Sequence, residues 1–307
     1  MPYSRLFRLL GPALIALPVL LLMACQNNSE LGSRDNPIRL YFTPSVDADT
    51  IASNSRELIE FLEQETGYYF ATGIPTSYIA VVEALGSGRA DIGAMNAFGY
   101  LMAHERYGAT ARLRMIRHGV DYYQGQIVVR ADSGIETLQD LQGKRFAFTD
   151  PASTSGYLFP LKMLREADVQ LGNEMFAMKH DSVITMVYQG QVDAGASYHS
   201  APAADGTIRD ARERVRTQFP DVEDRVRILA VTERIPNDPF VFRAGLPEEI
   251  IETFIEAMMA FMDTERGREI FRNIYSVEGL VPATDADYQL LAETIRAVDM
   301  DAEELVE

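Results

Sequence analysis

One short segment occurs twice, and it constrains the fold more than any other feature of the chain. Gly88-Arg89-Ala90-Asp91-Ile92-Gly93-Ala94 returns 102 residues later as Gly190-Gln191-Val192-Asp193-Ala194-Gly195-Ala196, with Gly, Asp, Gly and Ala in register. The same offset carries Tyr78 onto His180, and Val82 and Leu85 onto Ile184 and Val187. A looser match at an offset of 106 relates Phe42-Thr43-Pro44 to Phe148-Thr149-Asp150-Pro151. Around these repeats the hydrophobic pattern alternates between strand and helix periods. Ile38 to Thr43 reads as a strand ending at Pro44. Ser55 to Thr66 reads as a helix with Leu58, Ile59 and Leu62 on one face and Gly67 as its stop. Tyr78, Val81, Val82 and Leu85 keep helical spacing, and Ala90 to Met95 reads as a buried strand. The expectation is an α/β protein of two similar lobes.

The N-terminus reads as an export signal, so the chain is expected outside the cytoplasm. Arg5 and Arg8 precede an uncharged run from Leu9 to Ala24, broken by Gly11, Pro12 and Pro18, which suits a secretory leader better than a spanning helix. Leu22-Met23-Ala24-Cys25 resembles the lipobox of bacterial lipoproteins. An ordinary leader with a chance cysteine is the plainer alternative; the lipoprotein reading is preferred because Cys25 is the only cysteine and stands at the cleavage position. The expectations are a leader over residues 1–24, a lipid on Cys25 that holds the protein to a membrane, and a polar tether over 25–36. A lone cysteine excludes an intramolecular disulfide and a Cys-rich zinc site. The net charge of -17 argues against a nucleic-acid partner.

In open α/β sheets ligands collect beyond the carboxyl ends of strands, where helix N-termini present free N–H groups. The loops to watch therefore follow Thr43, Met95, Thr149 and Ser197. One is unusual. After Thr149-Asp150-Pro151-Ala152 come Ser153, Thr154, Ser155 and Gly156, three hydroxyls and a glycine at a helix start. Such a cradle can hold a tetrahedral oxyanion without a cationic side chain, although the same pattern also serves as a plain N-cap.

Thr149-Asp150-Pro151-Ala152-Ser153-Thr154-Ser155-Gly156-Tyr157, Lys179-His180-Asp181 and the second copy of the repeat resemble the phosphate/phosphite/phosphonate-binding lipoproteins of ABC importers. The resemblance runs from Ile38 through Asp287-Tyr288. It implies a type II periplasmic-binding-protein fold, with lobe 1 over 37–125 together with 238–307, lobe 2 over 126–237, and crossings near Tyr122 to Val129 and Arg234 to Arg243. It implies that Ser153, Thr154 and Ser155 hold phosphorus-bound oxygens, that Tyr78 and His180 reach the ligand from equivalent helix starts, and that Asp238 lies near the site. Asn96 would donate from lobe 1. Where aminoalkylphosphonate binders tend to place a further acid, this chain has Ser197-Tyr198-His199, so Tyr198 would bond an oxygen or wall the pocket. The expected protein is a monomer without cofactor or metal, serving ABC permease subunits. The same body feeding a receptor or kinase, or taking a non-phosphorus anion, remains an alternative. No HExxH, G-x-S-x-G or complete P-loop occurs, and no enzyme is expected.

Overall fold

The computed structural model describes residues 29–297. The leader and Cys25 lie outside them. Residues 29–36, expected as free tether, instead form a turn held to the body: Tyr69 N donates to the Gly32 carbonyl at 2.7 Å, and Leu31 packs on the core.

The first run of elements is β1 (Ile38–Phe42), α1 (Ala48–Thr66), β2 (Phe70–Gly73), α2 (Tyr78–Gly86), β3 (Ile92–Ala94), α3 (Ala97–Tyr107) and β4 (Thr110–Ile116). The chain then crosses to β5 (Tyr122–Arg130), β6 (Arg145–Phe148), α4 (Phe159–Glu166), β7 (Asn173–Phe176), α5 (His180–Tyr188), β8 (Ala194–His199), α6 (Val222–Arg225) and β9 (Val226–Pro236). It returns through β10 (Pro239–Phe242), α7 (Glu248–Asp263), α8 (Glu265–Tyr275), β11 (Gly279–Pro282) and α9 (Gln289–Ala297).

Two sheets result, ordered β2-β1-β3-β10-β4-β11 and β7-β6-β8-β5-β9. Each starts with a parallel triplet, and its fourth strand, β10 or β5, runs antiparallel immediately after a crossing. The repeat supplies the third strand of each triplet, β3 and β8, and the looser match supplies the middle strand, β1 and β6. Tyr41 pairs with Gly93 as Ala147 pairs with Gly195, the two offsets read from the sequence. The repeated aspartates do matching work: Asp91 takes the Arg39 backbone N–H and guanidinium, and Asp193 takes those of Arg145. Each clips the entry of the neighbouring strand, where a carboxylate can accept a bidentate guanidinium.

α1 starts at Ala48 rather than near Ser55 because the Asp47 carboxylate accepts from the N–H groups of Asp49 and Thr50. α7 buries Ile250, Ile251, Phe254, Ala257, Met258, Phe261 and Met262, the core face its spacing predicts. Both crossings are short. In residues 117–121, His118 and Gly119 have φ of 53° and 76°, and Arg117 and Val120 exchange backbone hydrogen bonds around this tight turn. In residues 237–238, buried Asn237 donates to the carbonyls of Asp121 and Val120, each at 2.9 Å, and so ties one crossing to the other.

Candidate functional site

Between the sheets, where the strand ends of both triplets meet, lies a cavity of about 60 Å³. It is small: a single water occupies roughly 10–15 Å³ on this measure, so a few waters or a compact anion fill it. Of the nine sequence-expected residues, Tyr78, Asn96, Ser153, Ser155, His180, Tyr198 and Asp238 line it; Thr154 and Gly156 do not.

The 153–156 segment is a π-helical turn, Thr154–Leu158, leading into α4, with Leu158 N bonded to the Ser153 carbonyl at 3.0 Å. Such turns recur at functional sites because the extra residue re-aims the side chains around it. Ser153 caps the turn, its Oγ accepting from Gly156 N at 3.1 Å. That bond consumes the Gly156 N–H expected to face the ligand and leaves the Ser153 hydroxyl proton free. Thr154 points the other way, into lobe 1. Its Oγ1 accepts from Asn96 Nδ2 and from Phe98 N, both at 2.9 Å, while Asn96 Nδ2 also donates to the Ala152 carbonyl at 2.7 Å. Asp150 adds a third link, accepting from Ala152 N and from Tyr78 N at the start of α2. Phe98, Leu158, Phe159 and Tyr123 share one apolar cluster across this junction.

Tyr78 and His180 occupy equivalent first positions of α2 and α5. The Tyr78 hydroxyl is buried without a partner, and burial, reinforced by the charges of Asp150 and Asp238, raises its pKa well above the ordinary value, so it remains a donor. His180 Nδ1 lies 3.0 Å from Ser197 Oγ and 3.2 Å from Thr149 Oγ1. Burial first, then the charges of Arg214 and Arg117, pushes its pKa down to about 3, so the ring is neutral. Its ring meets Tyr198 edge-on, with centroids 5.0 Å apart.

The structure departs from the neutral cradle in one respect: Arg117, Arg209 and Arg214 also line the cavity. Arg117 and Asp238 come from opposite crossings and pair at 2.6 Å through Asp238 Oδ2, while Oδ1 is buried with no partner. Arg214 is held by the Tyr198 hydroxyl, the Asn273 carbonyl and Ser276 Oγ. Thr43, Tyr123 and Tyr275 complete much of the wall; Thr43 Oγ1 has no partner, and the Tyr275 hydroxyl donates to the Thr43 carbonyl at 2.8 Å. Sequence reasoning missed the arginines because none sits in an anion motif: Arg117 lies in a turn, Arg209 in a loop and Arg214 in a short 3-10 helix, Ala211–Val215. The available signal was density: Arg209, Arg212, Arg214 and Arg216 fall within eight residues of a strongly acidic chain. Two of the four are spent elsewhere, Arg212 on buried Asp210 and Arg216 on Glu223.

Among the described residues no cluster of three or more His, Cys, Asp or Glu is placed to hold a metal, and no helix is long and apolar enough to cross a membrane. The crystal structure of the binding-protein component of an ABC phosphonate transporter from Pseudomonas aeruginosa superposes with a TM-score of 0.73 at 18% identity, covering 88% of this chain and 92% of that one. PhnD1 of Prochlorococcus marinus in complex with methylphosphonate gives 0.73 at 16% identity, over 85% and 98%. These likenesses establish a type II periplasmic-binding-protein fold. The phosphate-import protein PhnD of Mycolicibacterium smegmatis is 26% identical over 277 residues, 82% of each chain. A family profile described as ABC transporter, phosphonate, periplasmic substrate-binding protein matches residues 40–288. The chain belongs to that family of substrate-binding proteins of ABC transporters.

Proposed function

We propose that the protein captures a small phosphorus oxyanion between its lobes and delivers it to ABC permease subunits, acting by binding alone and without catalysis. The observation that carries this reading is the cavity itself, in which the buried hydroxyls of Thr43 and Tyr78 lack partners beside Ser153 and Ser155 and beside cationic Arg209 and Arg214. Unpaired buried hydroxyls cost free energy until something accepts from them, and an oxyanion accepts from several at once.

In this reading Ser155 and the free Ser153 proton donate from lobe 2, and Thr43 and Tyr78 from lobe 1. Thr149 gives its proton to the Ala196 carbonyl. We therefore assign the Ser197 hydroxyl as donor to His180 Nδ1, which leaves the ring proton on Nε2 as a further donor. Tyr198 orients Arg214. Thr154 and Asn96 act on closure rather than on the ligand, because their bonds run between lobes. A ligand touching both walls stabilises the closed form by its extra contacts there, and the permease reads that form.

Titration calorimetry of the purified protein with phosphate, phosphite and methylphosphonate tests the reading. Ser155→Ala is expected to weaken the preferred ligand by about tenfold or more, the effect of one charge-assisted hydrogen bond; unchanged affinity would remove Ser155 from the site. We further propose that the protein is a monomer outside the cytoplasm, anchored by lipid on Cys25. Cys25→Ala is then expected to release it from the membrane fraction, and retention there would disprove the anchor.

A further inference from the structure

We propose that the ligand is a tetrahedral dianion that still carries one acidic proton, the hydrogen-phosphate type, and that Asp238 reads the proton. The inference rests on the oxyanion reading above and names the ligand within it.

Two observations combine. The first is charge. Among the groups that line the cavity, Arg117, Arg209 and Arg214 stand against the single carboxylate of Asp238, which leaves two positive charges to be met. Asp150, buried behind Tyr78, does not line it and is met by the N–H groups of Ala152 and of Tyr78 at the start of α2. Asp205 and Glu213, whose fields reach Arg209 and Arg214, are exposed to solvent and therefore screened. A dianion balances the remainder. An ammonium group, the other natural partner for a carboxylate, would enter against three guanidiniums, which disfavours an aminoalkyl ligand.

The second is the proton. Asp238 Oδ2 is bound by Arg117 at 2.6 Å, but Oδ1 is buried and lacks a donor. Asn96 Oδ1 on the same wall also lacks one, but it is a neutral amide oxygen and accepts more weakly than a carboxylate. An ionised carboxylate only accepts, and an oxyanion without a proton only accepts, so the two repel where they meet. Hydrogen phosphate brings two charges and one P–OH, and satisfies both requirements. At pH 9, dianionic methylphosphonate, phosphite and sulfate have the charge and the roughly tetrahedral shape but no acidic proton. The pair sits on both crossings, so the proton is read where the lobes pivot.

Calorimetry on the purified protein at pH 9, with phosphate, methylphosphonate, phosphite and sulfate as probes, separates these ligands at constant charge. Phosphate is expected to bind at least about 30-fold more tightly than each of the other three, and arsenate, which carries the same proton, is expected to compete with it. In Asp238→Asn, whose amide donates as well as accepts, the four affinities should fall within about threefold of one another. Methylphosphonate or sulfate binding the unaltered protein as tightly as phosphate would overturn the proposal while leaving the oxyanion reading intact. Binding of none of the four would overturn both. The comparison on the unaltered protein decides the matter even if the variant fails to fold.

Discussion

Burial at the start of α5, with Arg214 and Arg117 nearby, moves the His180 imidazole from 6.5 to about 3, and this has a consequence for stability. Above pH 6.5 the ring is neutral in both folded and unfolded chains and costs nothing. As pH falls through 6.5 the unfolded chain takes up a proton that the folded one refuses, so stability is lost progressively towards pH 3. By pH 5 the loss from this one residue is about 2 kcal/mol. His118 and His199 are also lowered, chiefly by burial, and contribute in the same window, so a comparison of variants is needed. Urea denaturation at pH 7 and pH 5 should show His180→Gln losing about 2 kcal/mol less than the unaltered protein; equal losses would mean that the ring protonates without unfolding. The residue type and its place at a helix start were legible in the sequence, through the offset from Tyr78. Its neutrality was not, because desolvation depends on what the fold packs around it, here Thr149, Ser197 and Tyr198, and on the nearby charges of Arg214 and Arg117.

At the scale of elements, the repeat explains why the strands enter their sheets alike, yet the two copies sit in different surroundings. Asp91 is fully buried and binds both Arg39 and Arg243, whereas the side chain of Asp193 is 31% exposed and serves Arg145 alone. Removing charge from the buried partner strands two guanidiniums, at a cost of about 3 kcal/mol, while the exposed pair is screened and worth about 1 kcal/mol or less. Chemical denaturation should therefore rank Asp91→Asn well below Asp193→Asn in stability, and equal effects would contradict the burial argument. The sequence carries the repeat and the helix faces because both are periodic. It did not reveal the π-helical turn at Thr154. The pattern of three hydroxyls reads alike whether each faces the ligand or, as for Thr154, the opposite lobe.

At the scale of the whole molecule, the lobes are joined by bonds that the protein makes with itself, most directly Thr154 Oγ1 with Phe98 N and Asn96 Nδ2. Thr154→Val keeps the shape and removes the acceptor, leaving a buried N–H unpaired only when the lobes are shut. Opening is then favoured by about 1–3 kcal/mol. The expected outcome is a larger radius of gyration without ligand in small-angle scattering and roughly tenfold weaker binding; an unchanged radius would show that the clasp does not control closure. The α/β alternation, the duplicated strand–helix unit and the hydroxyl-rich helix start were determined by the sequence itself. They are local or periodic, and a few residues specify each of them. The arginine wall, the unpaired oxygen of Asp238 and the inter-lobe role of Thr154 were decided only by tertiary structure. Each arises from groups brought together by two crossings, from segments as far apart as residues 96 and 154, or 117 and 238. Burial and charge at such a meeting point are properties of the assembled cavity, which no single stretch of chain encodes.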